Sequence, residues 1–292
     1  MTQFLQQTIN GLSIGSIYAL IALGYTMVYG IIKLINFAHG EIFMFGAYMG
    51  MLGITMLGLP FYAAFVLSMV LTAILGVVIE RVAYKPLRNS SRIAALITAI
   101  GVSFLIQNLM LRIMGARIYA FPQVINNQVF VFFGLRVNLI QMIIFVVSIL
   151  LMIGLQLLVK KTKLGRAMRA VSVDKDAAAL MGINVNNIIT MTFAIGSALA
   201  AAAGIMVGLY YIRVFPFMGF TPGLKAFVAA VFGGIGIIPG AMIGGFSIGL
   251  IETYVAGYGS TLYKDAVVFA ILIIILLVKP SGLLGKNEKE KV

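Results

Sequence analysis

The chain has no cysteine, no tryptophan, a single histidine and only eight acidic residues. Without cysteine there is no disulfide, thiolate metal site or cysteine nucleophile. One histidine, His39, cannot build a multi-histidine metal or haem site, so no metal is expected. Charge of either sign is scarce at 10%, against 62% hydrophobic residues and a mean hydropathy of +1.09. A soluble domain of 292 residues needs far more polar surface. Also missing are a Gly-x-Gly-x-x-Gly fingerprint in a strand–helix setting, a phosphate loop and any catalytic constellation. The chain is therefore not expected to be an enzyme, and any ATP hydrolysis that drives it belongs to another chain. With tryptophan absent, an interfacial aromatic belt must use tyrosine, and Tyr62, Tyr84, Tyr119, Tyr211 and Tyr263 fall near the ends of apolar runs.

What the chain does have is long apolar runs. About 20 such residues cross a bilayer core, and eight or nine runs qualify: 5–30, 42–58, 61–80, 93–113, 137–159, 187–212, 224–238, 240–257 and 265–279. The expected fold is an all-α polytopic membrane protein, one transmembrane domain over residues 1–292, with 8–9 transmembrane or re-entrant helices. The second, seventh and eighth runs are short, glycine-rich or both, and are expected to be broken or re-entrant. The opening MTQFLQQTING has no basic residue and no small-residue cleavage site follows its run, so it reads as a retained span. The polar loop from Gly115 to Val137, with Pro122 and Asn126-Asn127, reads as an extracytoplasmic turn.

The net charge of +13 sorts by side of the membrane, which speaks against nucleic acid as the partner. One side collects Lys33, Arg81, Lys85, Arg88, Arg92, the six cations from Lys160 to Lys175, and Lys279, Lys286, Lys289 and Lys291. The other holds Arg112, Arg117, Arg136, Arg213, Lys225 and Lys264. The positive-inside rule makes the first side cytoplasmic, together with the 160–186 loop and the C-terminal tail. Nine crossings then place the N-terminus outside, and a re-entrant pair would lower the count.

Ile14-Gly15-Ser16 opens one span and Ile195-Gly196-Ser197 another, each followed by a proline among apolar residues, Pro60 and Pro239. The two spans run in opposite directions by the charge argument, as an inverted-topology repeat requires. Chance similarity of two Gly/Ala-rich segments gives the same pattern. Gly245 and Gly249, and Gly236 and Gly240, form GxxxG pairs. The run Gly233 to Ala241, with Gly233, Gly234, Gly236, Pro239 and Gly240, cannot sustain one straight helix. Its backbone must be buried in protein or line a cavity, which makes it a candidate pathway element.

A second candidate pathway or gate element is Asn36-Phe37-Ala38-His39-Gly40-Glu41. A carboxylate at mid-bilayer costs about 2.5–3.5 kcal/mol on insertion scales, so Glu41 sits at an interface, faces a wet cavity or pairs with a cation. An interfacial cap made of ordinary polar residues fits Asn36, His39, Gly40 and Glu41 as well. Glu252 is expected near a helix end in a structural role, and Asp265 as a helix-start carboxylate.

The one substantial polar island, Lys163 to Asn184, is the natural docking element. Asp174 is expected to cap a short helix, Lys175 to Met181, that Gly182 ends in the left-handed region. Ala177, Ala178, Leu180 and Met181 give it a compact apolar surface suited to a partner's groove. Arg166 and Arg169 share a face and can meet acids on that partner. A solvated connector would not need an Ala-Ala-Ala-Leu-Met run.

The segments LINFAHGEIFMFGAY (34–48), LGRAMRAVSVDKDAAALMGIN (164–184), GLKAFVAAVFGGIGIIPGAMIGG (223–245) and the end from YKDAVVF resemble the permease subunits of bacterial ABC importers for branched-chain amino acids, the LivH type. The likeness covers essentially the whole chain. Such permeases carry a cytoplasmic Glu-Ala-Ala-x-x-x-Gly loop that docks on the ATPase. Asp176-Ala177-Ala178 and Gly182 keep that spacing with Asp for Glu, while the usual proline-containing continuation is missing. The resemblance implies a second related permease, two ATPase subunits that hold the ATP and magnesium, and an extracytoplasmic binding protein. It implies no cofactor in this chain and a place in the bacterial cytoplasmic membrane. A related permease for urea or short amides, and an ion-coupled secondary transporter using Glu41, His39 or Glu252, are the alternative readings.

Overall fold

The structure is a computed structural model and describes residues 1–88 and 90–285. In chain order its helices are α1 (Thr2–Ile32), α2 (His39–Thr55), α3 (Phe61–Ile79), α4 (Arg92–Met114), α5 (Leu139–Lys161), α6 (Lys163–Val173), α7 (Lys175–Leu180), α8 (Val185–Tyr211), α9 (Phe220–Gly233), α10 (Ile238–Tyr258) and α11 (Lys264–Val278). Every apolar run has become a helix. Among the described residues, six segments are long and apolar enough to cross a membrane: α1, α3 with its extension to Leu87, α4, α5, α8 and α10. The eighth run is α10, a continuous 21-residue helix rather than a broken one. Pro239 falls in its first turn, where a missing N–H costs nothing.

The helices have two distinct ends. At one, strand β1 (Tyr119–Ala120) pairs with β4 (Arg213–Val214), and β2 (Val129–Phe132) forms a hairpin with β3 (Leu135–Asn138). The Gly115–Val137 loop therefore carries short strands instead of a plain turn. Gln6 at the start of α1 is tied to Arg136 by bonds of 2.8 and 2.9 Å. At the opposite end lie Lys33, Arg88 and the island helices α6 and α7, close enough for Lys33 and Arg88 to act on Lys175. Lys33, Arg88 and Lys175 thus gather at one end, and Arg136 and Arg213 at the other. Lys225 is not a loop cation but a buried side chain on α9. The tail residues 286–292, placed in the cytoplasm from sequence, lie outside the described residues.

Small residues let the central helices touch. A Cβ on Gly15 would lie 2.9 Å from the Cα of Phe246, and Gly245 abuts the backbone of Ala19. The GxxxG pair Gly245/Gly249 therefore packs α10 onto α1 backbone to backbone, where dispersion between close helices stabilises without a hydrophobic drive. Gly46 of α2 does the same against Ala201 of α8. α4, by contrast, shows Ile97, Leu105 and Ile113 on its outside, as a helix facing lipid or another subunit does.

Two segments dip back into the bundle. α1 ends at Lys33 (φ 56°) and α8 ends at Ile212 (φ 56°), both left-handed positions that non-glycine residues rarely adopt. Each is followed by an irregular stretch leading to a new helix, α2 or α9. The first turns of these two meet, with the backbone of Gly40 against that of Gly219. α3 begins after Pro60 and α10 at Pro239, which extends the same correspondence. The inverted repeat suggested by the Ile-Gly-Ser segments is visible in this geometry.

Candidate functional site

Asn36 builds the first dip. Its side-chain oxygen accepts from the Ala38 N–H at 3.1 Å and from the Tyr84 hydroxyl at 2.9 Å, and its carbonyl accepts from the His39 N–H. This local turn starts α2 without a conventional cap. Tyr84 is consequently buried against Phe193 rather than placed in an interfacial belt, since its hydroxyl finds its partner inside. His39 is buried too, with its ring edge-on to Tyr25 at 4.8 Å. Gly40 is the point of contact with Gly219 and Gly223.

Glu41 follows in the first turn of α2 and is 1% exposed. No ion pair reaches it among the described residues, and its Oε2 has no hydrogen-bond partner. It stands in the wall of a cavity of about 240 Å³, with Tyr25 and Phe37 from the α1–α2 region. Ser103, Phe104 and Gln107 come from α4, and Gly219, Gly223 and Leu224 from the second dip. Of the sequence-derived alternatives for Glu41, the structure offers the cavity.

Gly233, Gly234, Gly236, Pro239 and Gly240 do break the chain, but elsewhere. They form the turn between α9 and α10, with Gly234 at φ 108° and Gly236 at φ 95°. Ser281 to Gly285 cover part of this turn, Leu283 and Leu284 donating their N–H groups to the carbonyls of Phe232 and Gly233. Gly236 lines a separate pocket of about 100 Å³ beside Thr26, Gly30 and Arg169. The turn and the Asn36–Glu41 segment are thus not brought to one place.

A cavity of about 260 Å³ that sequence reasoning missed lies nearer the hairpin end, lined by Tyr18, Arg213, Lys225, Glu252, Lys264 and Asp265 among others. Lys225 pairs with Glu252 at 2.7 Å and with Asp265 at 2.5 Å, and Tyr18 donates to Glu252 at 2.7 Å. Glu252 is well inside α10, not at its end. The clue in the sequence was an acid with no nearby cation inside an apolar run.

The island folds as expected and then some. Asp174 accepts from the N–H groups of Asp176 and Ala177 at 2.9 Å each, capping α7, and Gly182 takes φ 81°. Thr162 caps α6 by accepting from the Gly165 N–H at 3.0 Å. Ala178 turns inward at 4% exposure, so it is packing rather than docking surface. Arg169 donates to the Val159 carbonyl and so closes the end of α5, while Arg166 is exposed. What α7 and its neighbours present outward is Val173, Leu180 and Met181, at 87%, 89% and 83% exposure. Partial desolvation, with Arg88 and Lys33 nearby and Asp176 opposing, pushes the Lys175 ammonium below the usual lysine range.

The family model for the branched-chain amino acid transport system / permease component matches residues 7–276. The chain belongs to that family. Among relatives, the high-affinity branched-chain amino acid transport system permease protein LivH of Escherichia coli K12 is 48% identical over 99% of this chain and 98% of its own. The corresponding BraD protein of Pseudomonas aeruginosa is 47% identical over the same shares, 99% and 98%. A probable LivH protein of Methanocaldococcus jannaschii is 31% identical over 94% and 90%. A solved structure titled PsaBC from Streptococcus pneumoniae in complex with Fab matches with TM-score 0.52 and 14% identity over 95% of this chain and 92% of that one, a likeness of fold alone. As a member of the permease family with six helices of spanning length, the chain is a multi-pass membrane protein and a transport component rather than an enzyme.

Proposed function

We propose that this chain forms the translocation pathway of an ATP-binding-cassette importer for leucine, isoleucine and valine. The observation that carries the reading is end-to-end similarity to the LivH and BraD permeases. The island adds to it: a capped helix at the cation-rich end that holds Leu180 and Met181 out in solvent. Exposed apolar side chains on a helix between spans are surface for a partner.

In this reading the island end and the C-terminal tail face the cytoplasm of a bacterium and the hairpin end faces outward. Two ATPase subunits bind the island, one on this chain and one on a second, related permease. They supply the ATP and magnesium chemistry. Closure of the ATPase pair pushes α7 and, through Ala178 and α6, moves the spans. An extracytoplasmic binding protein delivers the amino acid to the hairpin end. The chain itself binds, guides and releases. The test is uptake of labelled leucine by proteoliposomes holding this chain with its second permease and ATPases, with binding protein and ATP supplied from the appropriate sides. ATP-dependent accumulation supports the reading, whereas uptake driven by an ion gradient without ATPase subunits contradicts it.

A further inference from the structure

We propose that the cavity walled by Glu41 is a substrate subsite for one apolar α-amino acid, whose ammonium group pairs with the Glu41 carboxylate. The proposal rests on the amino-acid importer reading and deepens it. A carboxylate buried at 1% exposure and left with an unpaired oxygen is a standing cost. Ser103 and the start of α2 support the carboxylate in part, but no counter-charge among the described residues meets it, since the ion pairs engage Glu80, Glu252 and Asp265. The carboxylates of the cavity beside Lys225 are already met by Lys225, Lys264 and Tyr18, so that cavity has its own counter-charges. Glu41 does not, and the group that completes it is a cation brought from outside.

The rest of the wall selects which cation. Phe37, Ile100, Phe104 and Leu224 offer an apolar surface to a branched side chain, while the neutral Gln107 offers hydrogen bonds and Ser103 stands against Glu41. A volume of about 240 Å³ falls below the roughly 300–1,000 Å³ typical of drug-sized ligands, so the occupant is small. The first turns of α2 and α9 converge on the same cavity, Gly40 from one and Gly223 from the other. Their partial positive charge suits the ligand's carboxylate, as at other discontinuous membrane helices. A zwitterion with a branched apolar tail matches all three parts of the wall. A branched carboxylic acid without the ammonium matches only two and meets Glu41 as a like charge.

The direct test uses a diazirine analogue of leucine and the assembled transporter in proteoliposomes. Photolysis should place label on peptides containing residues 34–48, 97–107 or 217–226. Leucine should compete for it, and 4-methylpentanoate should compete at least tenfold more weakly. Glu41→Gln should lower labelling and leucine uptake about tenfold or more while binding-protein-stimulated ATP hydrolysis persists, and Glu41→Asp should recover part of both. Should Glu41→Gln fail to assemble, Leu224→Trp, which fills the cavity from its apolar side, is expected to abolish the same labelling. Label found instead around Lys225 and Glu252, or undiminished labelling in Glu41→Gln or Leu224→Trp, overturns the proposal. Failure of the unaltered transporter to take up leucine would instead overturn the importer reading.

Discussion

Lys225 of α9 and Glu252 of α10 form an ion pair of 2.7 Å with both side chains almost fully buried. Tyr18 of α1 donates to the same carboxylate, and Lys264 at the start of α11 approaches it at 3.3 Å. Four helices therefore share one polar knot, about 21 Å along α1 from its Ile32 end at 1.5 Å per residue. Removing one partner leaves the other buried with only part of its counter-charge, Asp265 for Lys225 and Lys264 for Glu252, so the cost stays below the roughly 3–5 kcal/mol of a fully orphaned buried charge. Lys225→Leu and Glu252→Leu should each lower the unfolding midpoint in detergent, and the double variant Lys225→Leu/Glu252→Leu should lose less than the two singles combined. Additive losses would show that the pair is not coupled.

The meeting of Gly40 with Gly219 gives a second prediction. A Cβ on Gly40 would stand 2.5 Å from the Gly219 carbonyl oxygen, and backbone on both sides leaves no flexible side chain to yield. Gly40→Ala should part the two dips and reduce both folded yield and leucine uptake. Gly154→Ala is the control, because no atom lies within 4 Å of its added Cβ, and it should be neutral or gain up to about 1 kcal/mol of helix stability. Purification yield and thermal stability of the two variants compare them directly.

Much of this was legible in the residues, and the reason is range. Asp174, Ala177 and Gly182 act on neighbours within one or two turns, so cap, helix and stop could be read before any tertiary contact was known. Lys225 could not be placed that way. By charge counting it belongs in a loop, and its pairing with Glu252 and Asp265, contacts between separate helices, keeps it inside the bundle. Ala178 and Arg169 show the same limit at smaller scale. Their residue types suit a docking surface, but which side of a helix faces home depends on α5 and α8, which no local pattern reveals. The Glu41 cavity takes walls from α2, α4 and α9, and its membership was legible only for Gly40 and Glu41.

The cap of α7 can be tested on its own. Asp174→Ala removes the acceptor for two N–H groups and should cost about 1 kcal/mol of local helix stability. Overall folding should persist, while ATP hydrolysis continues with reduced leucine uptake per ATP. Asp174→Ser, another capping residue, should restore most of the coupling. Equal coupling in all three proteins would show that the helix transmits nothing.

The outward face of α7 gives the complementary variant. Leu180→Glu places a charge at an 89% exposed position, so it leaves the spans intact. It should weaken co-purification with the ATPase subunits at least tenfold, and Ala178→Glu should instead reduce the folded yield because that side chain is buried. Reversed outcomes would mean that α7 docks by its other side.

The central claim is that α7 stands in the cytoplasm and is covered by the ATPase. Because the chain has no cysteine of its own, Leu180→Cys supplies a single reactive thiol without further changes. A membrane-impermeant maleimide should fail to label it in intact cells, should label it in inside-out vesicles stripped of ATPase subunits, and should lose that labelling when the subunits are added back. Labelling from outside intact cells, or labelling unaffected by the ATPase subunits, would contradict the account.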